Sequence, residues 1–340
     1  MRTRVIVALT MALALIGVPV HGEPGSDLFK NREITIQIGA GAGGGADIYA
    51  RLLSRHFGRH LPGNPTIVAK NLPGAGGLRL ANQLYNVAPK DGTELGLFLS
   101  GTALEPLFGN KEAKFETTKF TWIGNMDSDA TVCFVGKHTG VRSWEDLKKR
   151  ETTFGASGPA SVASIQAKIM GEILGAKVRV IHGYQGTRTS LLAMQRGELD
   201  GVCGIYMSTV RSQFERDLAA GEMNVFIAFD RNRIKEFPQV PTIFETIKGS
   251  ADRQLAELIF GQNALSRPVS APPGLNTERR LALRTGLLAT MKDSALLAEA
   301  TKLRLEIVPM SGEETERRFQ SFYELPAAVV ARARAIIGGR

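Results

Sequence analysis

Short apolar segments alternate along the chain with longer segments in which apolar residues recur every three or four positions. Residues 34–38 form a run of strand type, and residues 46–60 carry apolar side chains at helical spacing. Further strand-like runs at 66–70 and 94–99 enclose a second helical segment at 78–87. This β-α-β-α-β order predicts a mostly parallel sheet with right-handed crossover connections.

A second block of the same kind follows in the middle of the chain. Strand-like runs at 153–156 and 178–182 flank a helical segment at 161–174, and another helical segment follows at 187–196. A further strand is predicted at 224–229. The chain therefore contains two similar α/β blocks rather than one continuous sheet.

The two blocks predict a protein of two lobes. The chain after about residue 237 forms a tail that is largely helical from 277 onward and is long enough to return to the first block. We predict an α/β fold in which residues 23–126 and 237–340 form lobe 1 and residues 127–236 form lobe 2. Each lobe is expected to be a mostly parallel sheet flanked by helices. Two blocks joined by more than one crossing predict a hinged pair with a cleft between the lobes. Ligands of open α/β sheets bind beyond the carboxyl ends of the strands, where the glycine loops of this chain lie.

The N-terminus has the pattern of a secretory signal peptide. Arg2 and Arg4 precede an uncharged apolar run over 5–18, and Gly22 ends a plausible cleavage site. The run is shorter than the roughly 20 residues that a membrane-spanning helix needs. We expect residues 1–22 to be removed and the mature protein to be exported in soluble form, to the periplasm in a Gram-negative source.

The formal net charge of +9 adds little to this interpretation. Lysines and arginines are scattered, without a basic block or interleaved aromatic residues, so we expect no binding of nucleic acid. A basic surface attracts small anions through its long-range field.

The sequence contains two cysteines, Cys133 and Cys203, each within a strand-like run. A disulfide between them is compatible with an oxidising compartment, and two buried free thiols are an equally acceptable alternative. Their spacing does not predict a metal site, and no metal or other cofactor is expected.

The glycine-rich turn after the first strand, in ITIQIGAGAGGGADIYARLL, has two interpretations. Gly39, Gly41 and Gly44 fit the G-x-G-x-x-G pattern of dinucleotide-binding folds. That site also needs an acidic residue at the end of the second strand, where this chain has Lys70 and Asn71. Without a nucleotide, a glycine loop at a helix N-terminus is a cradle of N–H groups for an anion such as a carboxylate. We favour the cradle.

At family level the sequence resembles the Bug receptors, the extracytoplasmic solute receptors of tripartite tricarboxylate transporters. The motifs GAGGGADIYARLL, NLPGAGG, APKDGT, FGASGPAS, GYQGTRTSLLAMQRGELDG, VPTIFE and APPGLNTERRLALRTGLL occur in the family's order and span nearly the whole mature chain. NLPGAGG followed one helix later by APKDGT is the most specific pair.

The resemblance implies a periplasmic binding protein of type II that captures a small organic anion and catalyses no reaction. Its ligand would be a di- or tricarboxylate, an amino acid or an aromatic acid. Its partners would be the membrane permease subunits of a tripartite tricarboxylate transporter, or a sensor protein. The receptor itself is expected to be a monomer.

The resemblance also implies the ligand-binding residues, which belong to four loops at the mouth of the predicted cleft. These residues are Gly43, Gly44 and Asp47 in the first loop, Asn71, Gly74 and Ala75 in the second, Ser157, Gly158 and Ser161 in the third, and Tyr184, Gly186 and Thr187 in the fourth. In the family such loops meet the ligand carboxylate through backbone N–H groups, partly by way of ordered water. This chain departs from the family pattern at Ala42, Ala160, Ser164 and Gly183.

Three alternatives stay open at this point. Asp47 could cap the helix N-terminus or contact the ligand. His56 and His60 have the spacing of a metal-binding pair, but without H-E-x-x-H or a third ligand we place them on a solvated helix face. The alternative function is an exported or nucleotide-dependent α/β enzyme, either an oxidoreductase or a hydrolase, although GASGP around Ser157 is not the G-x-S-x-G motif of hydrolases.

Overall fold

A computed structural model describes residues 27–99, 101–158, 161–184 and 187–337. The predicted signal peptide lies outside the described residues. Within them the strands are β1 (Glu33–Ile38), β2 (Thr66–Asn71), β3 (Glu94–Leu97), β4 (Thr121–Asn125), β5 (Thr131–Gly136), β6 (Thr152–Ala156), β7 (Val178–His182), β8 (Gly201–Tyr206), β9 (Met223–Phe229), β10 (Pro268–Ala271) and β11 (Met310–Ser311).

Helices connect these strands and flank the sheets. They are α1 (Gly45–Phe57), α2 (Leu78–Asn86), α3 (Val162–Leu174), α4 (Thr187–Gln195), α5 (Met207–Thr209), α6 (Glu215–Ala219), α7 (Ile243–Thr246), α8 (Ser250–Phe260), α9 (Thr277–Met291), α10 (Ser294–Lys302), α11 (Gly312–Tyr323) and α12 (Ala327–Ile337). No helix in the described ranges combines the length and the apolar composition that crossing a bilayer requires.

The first sheet, which carries lobe 1, has the strand order β11-β4-β10-β3-β1-β2. β1 pairs in parallel with both neighbours, so that Ile36 lies opposite Ala69 on β2 and Leu95 on β3. Ile34, Ile36 and Ile38 are completely buried, whereas Thr35 and Gln37 between them are half-buried, so β1 alternates apolar and polar positions. The carboxyl ends of β1, β2 and β3 therefore bring their following loops to one edge of the sheet.

The second sheet, which carries lobe 2, has the order β7-β6-β8-β5-β9. β6 pairs in parallel with β7 and β8, whereas β5 runs antiparallel to β8 and β9. Cys133 on β5 and Cys203 on β8 form a disulfide, with Cα atoms 4.0 Å apart. The alternative of two free thiols is therefore wrong for this structure.

The expectation of mostly parallel sheets needs a correction in detail. Most strands of each sheet share one direction, but β10 is inserted antiparallel between β3 and β4, and β5 lies antiparallel between β8 and β9. Both sheets are consequently mixed. The physical reason is that the chain crosses between lobes, so the strand that enters a sheet from the other lobe need not follow a right-handed β-α-β connection.

Two chain crossings connect the lobes and lie side by side. The N–H of Arg267 donates to Asn125 Oδ1 at 2.9 Å, and the N–H of Met126 donates to the carbonyl O of Arg267 at 3.2 Å. An apolar cluster also extends from α2 of lobe 1 through α8 and α12 to α3 of lobe 2. The strands of the two sheets fall within the lobes as we assigned them, and the domain boundaries themselves stay a prediction.

Candidate functional site

The loop between β1 and α1 presents an uncapped helix N-terminus. Gly44 is the N-cap residue, and it has an extended backbone and no side chain that could accept a hydrogen bond from the first turn. The first N–H groups of a helix have no partner within the helix, and the helix dipole places positive potential there. Gly43 adopts a φ of +81°, which favours glycine. The arrangement suits an anion.

Asp47 clamps this loop from within the protein. Its carboxylate accepts hydrogen bonds from the Gly43 N–H at 2.9 Å, from Arg51 Nε at 3.0 Å and from Asn71 Nδ2 at 2.8 Å. Burial opposes ionisation, but these hydrogen bonds outweigh it and lower the pKa of Asp47. The contacts favour the capping role of Asp47, because its oxygens already have protein donors. A direct contact with the ligand stays a prediction.

Asn71 belongs to the same network and ends β2. Its amide also donates to the carbonyl O of Ala40 at 3.1 Å, and its Oδ1 accepts from Arg51 Nη2 at 2.8 Å. Asn71 therefore fastens the second loop to the first. Gly74 and Ala75 lie in the following turn, where both are exposed and both have positive φ.

The loop after β6 carries the predicted residues of lobe 2. Ser157 is exposed and Gly158 is half-buried. The hydroxyl of Ser161, the N-cap residue of α3, donates to Gly158 O at 2.7 Å and accepts from the Ser164 N–H at 3.3 Å. Because a hydroxyl has one hydrogen, Ser161 Oγ has none left for a ligand here.

The fourth predicted loop is only partly described. Tyr184 is half-buried, and its N–H donates to Ala156 O at 3.3 Å, which holds this turn beside the end of β6. Gly186 lies outside the described residues. Thr187 begins α4, and its side chain also lies outside the described part of the chain.

The end of β8 brings both helix N-termini to one region. A Cβ added to Gly204 would lie only 2.8 Å from the backbone N of Ala163, so the first turn of α3 packs directly on this glycine. Two residues further, the ring of Tyr206 lies 5.3 Å from the guanidinium carbon of Arg267. A Cβ added to Gly45, the first residue of α1, would lie 2.9 Å from Arg267 Nη2. Arg267 therefore spans the space between α1 and lobe 2.

A cluster of buried charges surrounds Arg267 at the crossing between the lobes. Asp129 Oδ2 lies 3.7 Å from Arg267 Nη2, and Ser208 Oγ donates to the same carboxyl at 2.5 Å. Burial raises the pKa of Asp129, and burial with the nearby Asp129 charge raises the pKa of Asp127 to about 7. The phenol of Tyr49 contacts Asp127 from α1.

A cavity of about 570 Å³ opens between the lobes but is lined by other residues. Its walls are Met207, Val210, Arg211, Glu215, Leu218, Glu236 and Phe237 from lobe 2, with Thr301, Arg304, Leu305 and Glu306 from lobe 1. Arg304 pairs with Glu215, and Arg211 pairs with Glu306, so ion pairs connect the lobes here. The arginines at this cavity are therefore already neutralised, and the α1 N-terminus is the better place for an anion.

The histidine pair is placed differently from our expectation. His56 is buried, and its Nε2 lies 2.6 Å from Glu299 on α10, while His60 Nε2 lies 2.7 Å from Asp293. The solvated helix face is therefore wrong for His56, because α10 packs against α1 there. Among the residues that the structure describes, no three His, Cys, Asp or Glu side chains form a metal-binding cluster.

Comparison with known proteins identifies the family. The profile described as "Tripartite tricarboxylate transporter family receptor" (TctC) matches residues 50–320. The chain belongs to this receptor family. A curated relative, the UPF0065 protein in the TAR-I ttuE-ttuC' intergenic region of Agrobacterium vitis, is 27% identical over 269 residues, which cover 77% of the receptor and 73% of the relative.

Solved structures share the receptor's fold. The periplasmic binding protein BugD aligns with a TM-score of 0.68 at 18% identity, covering 91% of the receptor and 98% of BugD. MatC from Rhodopseudomonas palustris, solved with bound malate, gives 0.64 at 18% identity, with 91% and 100% covered. Rpa4515 from R. palustris, solved with adipate, gives 0.67 at 18% identity, with 90% and 98% covered. The predicted two-lobed fold of the periplasmic binding proteins is thus confirmed.

The receptor's sequence alone did not indicate Arg267 or the residues around it. Arg267 lies in SRPVSAPP, which has neither helical nor strand periodicity, and its neighbours Tyr49 and Tyr206 are far away in the chain. A single arginine within an apolar, proline-rich segment was the one available signal. The dinucleotide alternative also loses support, since Asn71 occupies the position of the ribose-binding acid and holds Asp47 instead.

One contact between a serine and a histidine, which could suggest a catalytic pair, also has a structural explanation. Ser164 Oγ lies 3.0 Å from His182 Nε2. Ser164 is completely buried in the first turn of α3, so its hydroxyl is not presented to a substrate.

Proposed function

We propose that this receptor captures a small organic carboxylate in the periplasm for the permease of a tripartite tricarboxylate transporter. The observation that carries the proposal is the uncapped N-terminus of α1, which opens toward lobe 2 at the end of the parallel strands. Two structural neighbours contain malate and adipate, so acids of four to six carbons are the first candidates.

Binding would work through closure of the lobes rather than through a chemical step. A ligand that touches both lobes stabilises the closed arrangement by its extra contacts there, which shifts the equilibrium between open and closed forms. Gly43, Gly44 and the first turn of α1 would supply N–H groups from lobe 1, with water or relaxation of Asp47 freeing the Gly43 donor. Ser157 and Gly158 would supply lobe 2 contacts, and the loops at Gly74 and Tyr184 would flank the ligand.

Export is supported by two features of the chain. The first 22 residues have the pattern of a signal peptide, and the Cys133–Cys203 disulfide suits an oxidising compartment. In the periplasm the closed receptor would dock on permease subunits, or alternatively on a sensor protein.

A thermal-shift screen tests the function directly. Purified mature protein is heated with malate, succinate, adipate, citrate, glutamate and benzoate, and with NADPH as the test of the enzyme alternative. A receptor gains RT ln(1 + [L]/Kd) from a ligand, about 2.7 kcal/mol at one hundred times Kd. Stabilisation by one or a few carboxylates supports the proposal. A shift with NADPH and none with any acid would reverse it.

A further inference from the structure

Arg267 is a buried arginine at the junction of the two lobes. It is 4% exposed, and its guanidinium carbon lies 4.9 Å from the ring of Tyr49 on α1 and 5.3 Å from the ring of Tyr206 on β8. Tyrosine rings attract a cation through their faces, so the two rings hold the guanidinium in place. One ring belongs to each lobe, so the guanidinium contacts both lobes at once.

The hydrogen-bonding capacity of this guanidinium is only partly used. Nη1 donates to Ser266 O at 2.7 Å. The nearest carboxylate oxygen, on Asp129, is 3.7 Å from Nη2, well beyond the 2.7–2.9 Å typical of a charge-assisted hydrogen bond. Nε is buried and has no partner among the described residues. A buried charged donor left unpaired is unfavourable, and this one needs an acceptor.

The guanidinium also lies at the end of a helix where a cation is unfavourable. Nη2 is 2.9 Å from the position that a Cβ on Gly45 would occupy, at the first residue of α1. Helix N-termini carry positive potential, and Gly44 provides no cap. An anion that contacts both Nη2 and the N–H groups of α1 would offset the positive potential of the helix end and of Arg267.

We infer that Arg267 is the charged anchor of the ligand carboxylate, acting together with the N–H groups of α1. This inference rests on the proposed function and adds a formal charge to a cradle otherwise made of backbone. At the facing helix, Ser161 already caps α3. The ionised end of the ligand therefore binds at α1 and Arg267, and its other end binds toward α3. The receptor therefore binds acids in their ionised form, and it does not bind the corresponding neutral amides.

The test measures binding of malate and adipate by isothermal titration calorimetry, with malamide and adipamide as the uncharged analogues. The main variant is Arg267→Met combined with Asp129→Asn, so that no unpaired carboxylate is left behind. Arg267→Lys retains the charge. Gly45→Ala is compatible with the helical backbone at this position, but it places a methyl group against Arg267 Nη2. Arg284→Met is the control, because Arg284 is another buried arginine of lobe 1 and pairs with Glu313 and Glu316 on α11.

We expect the paired variant to bind the acids about 10- to 100-fold more weakly, as for loss of a hydrogen bond to a charged group. Arg267→Lys should recover part of that loss, Gly45→Ala should weaken binding, and Arg284→Met should bind as the wild type does. The amides should not bind. Wild-type affinity in the folded paired variant would overturn the role of Arg267 and leave the receptor function intact. Failure of both acids to bind the wild type would overturn the proposed function for this acid class, and the inference with it.

Discussion

The phenol oxygen of Tyr49 lies 2.8 Å from Asp127 Oδ2 and 2.8 Å from the carbonyl oxygen of Glu306. A phenol has one hydrogen and cannot donate to both acceptors. Both contacts are satisfied when Asp127 is protonated and donates to Tyr49, while Tyr49 donates to Glu306. Hydrogen-bond geometry and the raised pKa of Asp127, about 7, therefore indicate the same neutral carboxyl group. Asp127 adds little negative charge beside Arg267 at moderately acidic pH.

This neutral carboxyl predicts a pH dependence of stability. In the unfolded chain Asp127 titrates near pH 3.9, whereas burial and the Asp129 charge raise its folded pKa to about 7. A raised carboxyl pKa stabilises the fold fully below the unfolded pKa, and the contribution is lost as pH rises toward 7. The slope is about 1.4 kcal/mol per pH unit from this group.

Asp127→Asn tests that dependence because an amide can donate to Tyr49 at every pH. Unfolding free energies of both proteins are measured by urea denaturation at pH 4.5 and at pH 8. Because only the wild type loses the contribution of Asp127 over this range, we expect the difference, variant minus wild type, to increase by about 2–4 kcal/mol. Asp129, Arg267 and Glu306 remain in both proteins, so the difference reports mainly on Asp127. A pH-independent difference would mean that Asp127 is ionised in the folded protein.

Asp47→Ala separates the two roles that the sequence left open for this residue. The carboxylate holds Gly43, Arg51 and Asn71, so its removal should lower the unfolding free energy by about 1–3 kcal/mol and weaken ligand binding as the loop relaxes. Asp47→Asn retains one acceptor and should restore part of both. Lost affinity with unchanged stability would instead identify a direct contact with the ligand. Denaturation and calorimetry on the same samples distinguish these outcomes.

Local patterns predicted most of the fold because each β-α-β unit is complete within a short segment. The run at 178–182 is β7 without a shift, and the first loops follow the strands as expected. β10 was not predicted, since its four residues begin with proline and its partners β3 and β4 lie more than 140 residues earlier. α8 was missed as well, although it packs in the apolar cluster that joins the lobes.

The candidate site divides in the same way. The glycine loops could be predicted from the sequence, because a turn, a positive φ and a following helix are local properties, as at Gly43 and Gly74. The role of Arg267 could not be predicted from the sequence, because it depends on contacts with Tyr49, Asp129 and Tyr206. Only the folded chain brings these residues together. Charge at the lobe junction is a property of tertiary structure, and the local sequence carries no pattern for it.

Gly44→Val tests the cradle itself. Gly44 has φ −84° and ψ 169°, which valine adopts readily, and a Cβ there would meet only Gly41 O at 3.9 Å. The variant should therefore fold normally while its side chain occupies the space beside the first N–H groups of α1. We expect at least a 100-fold loss of affinity for the acid found in the thermal screen, measured by calorimetry.

Gly249→Val is the matched control for that variant. Gly249 is also a glycine N-cap with extended backbone, φ −89° and ψ 144°, at the start of α8. It should leave binding unchanged. Equal affinity of Gly44→Val and the wild type would place the ligand away from the α1 N-terminus.

The disulfide predicts a large dependence of stability on redox state. Cys133 and Cys203 are separated by 70 residues and lie on adjacent strands of lobe 2. Closing a loop of this length in the unfolded chain is worth about 4 kcal/mol in the chain-entropy model. We expect dithiothreitol to lower the wild-type unfolding free energy by about that amount in urea titrations. The double variant Cys133→Ala with Cys203→Ala should have a lower unfolding free energy than the oxidised wild type, and dithiothreitol should not change it. Two titratable thiols in the denatured, unreduced wild type would contradict the cross-link, because a disulfide leaves none to react.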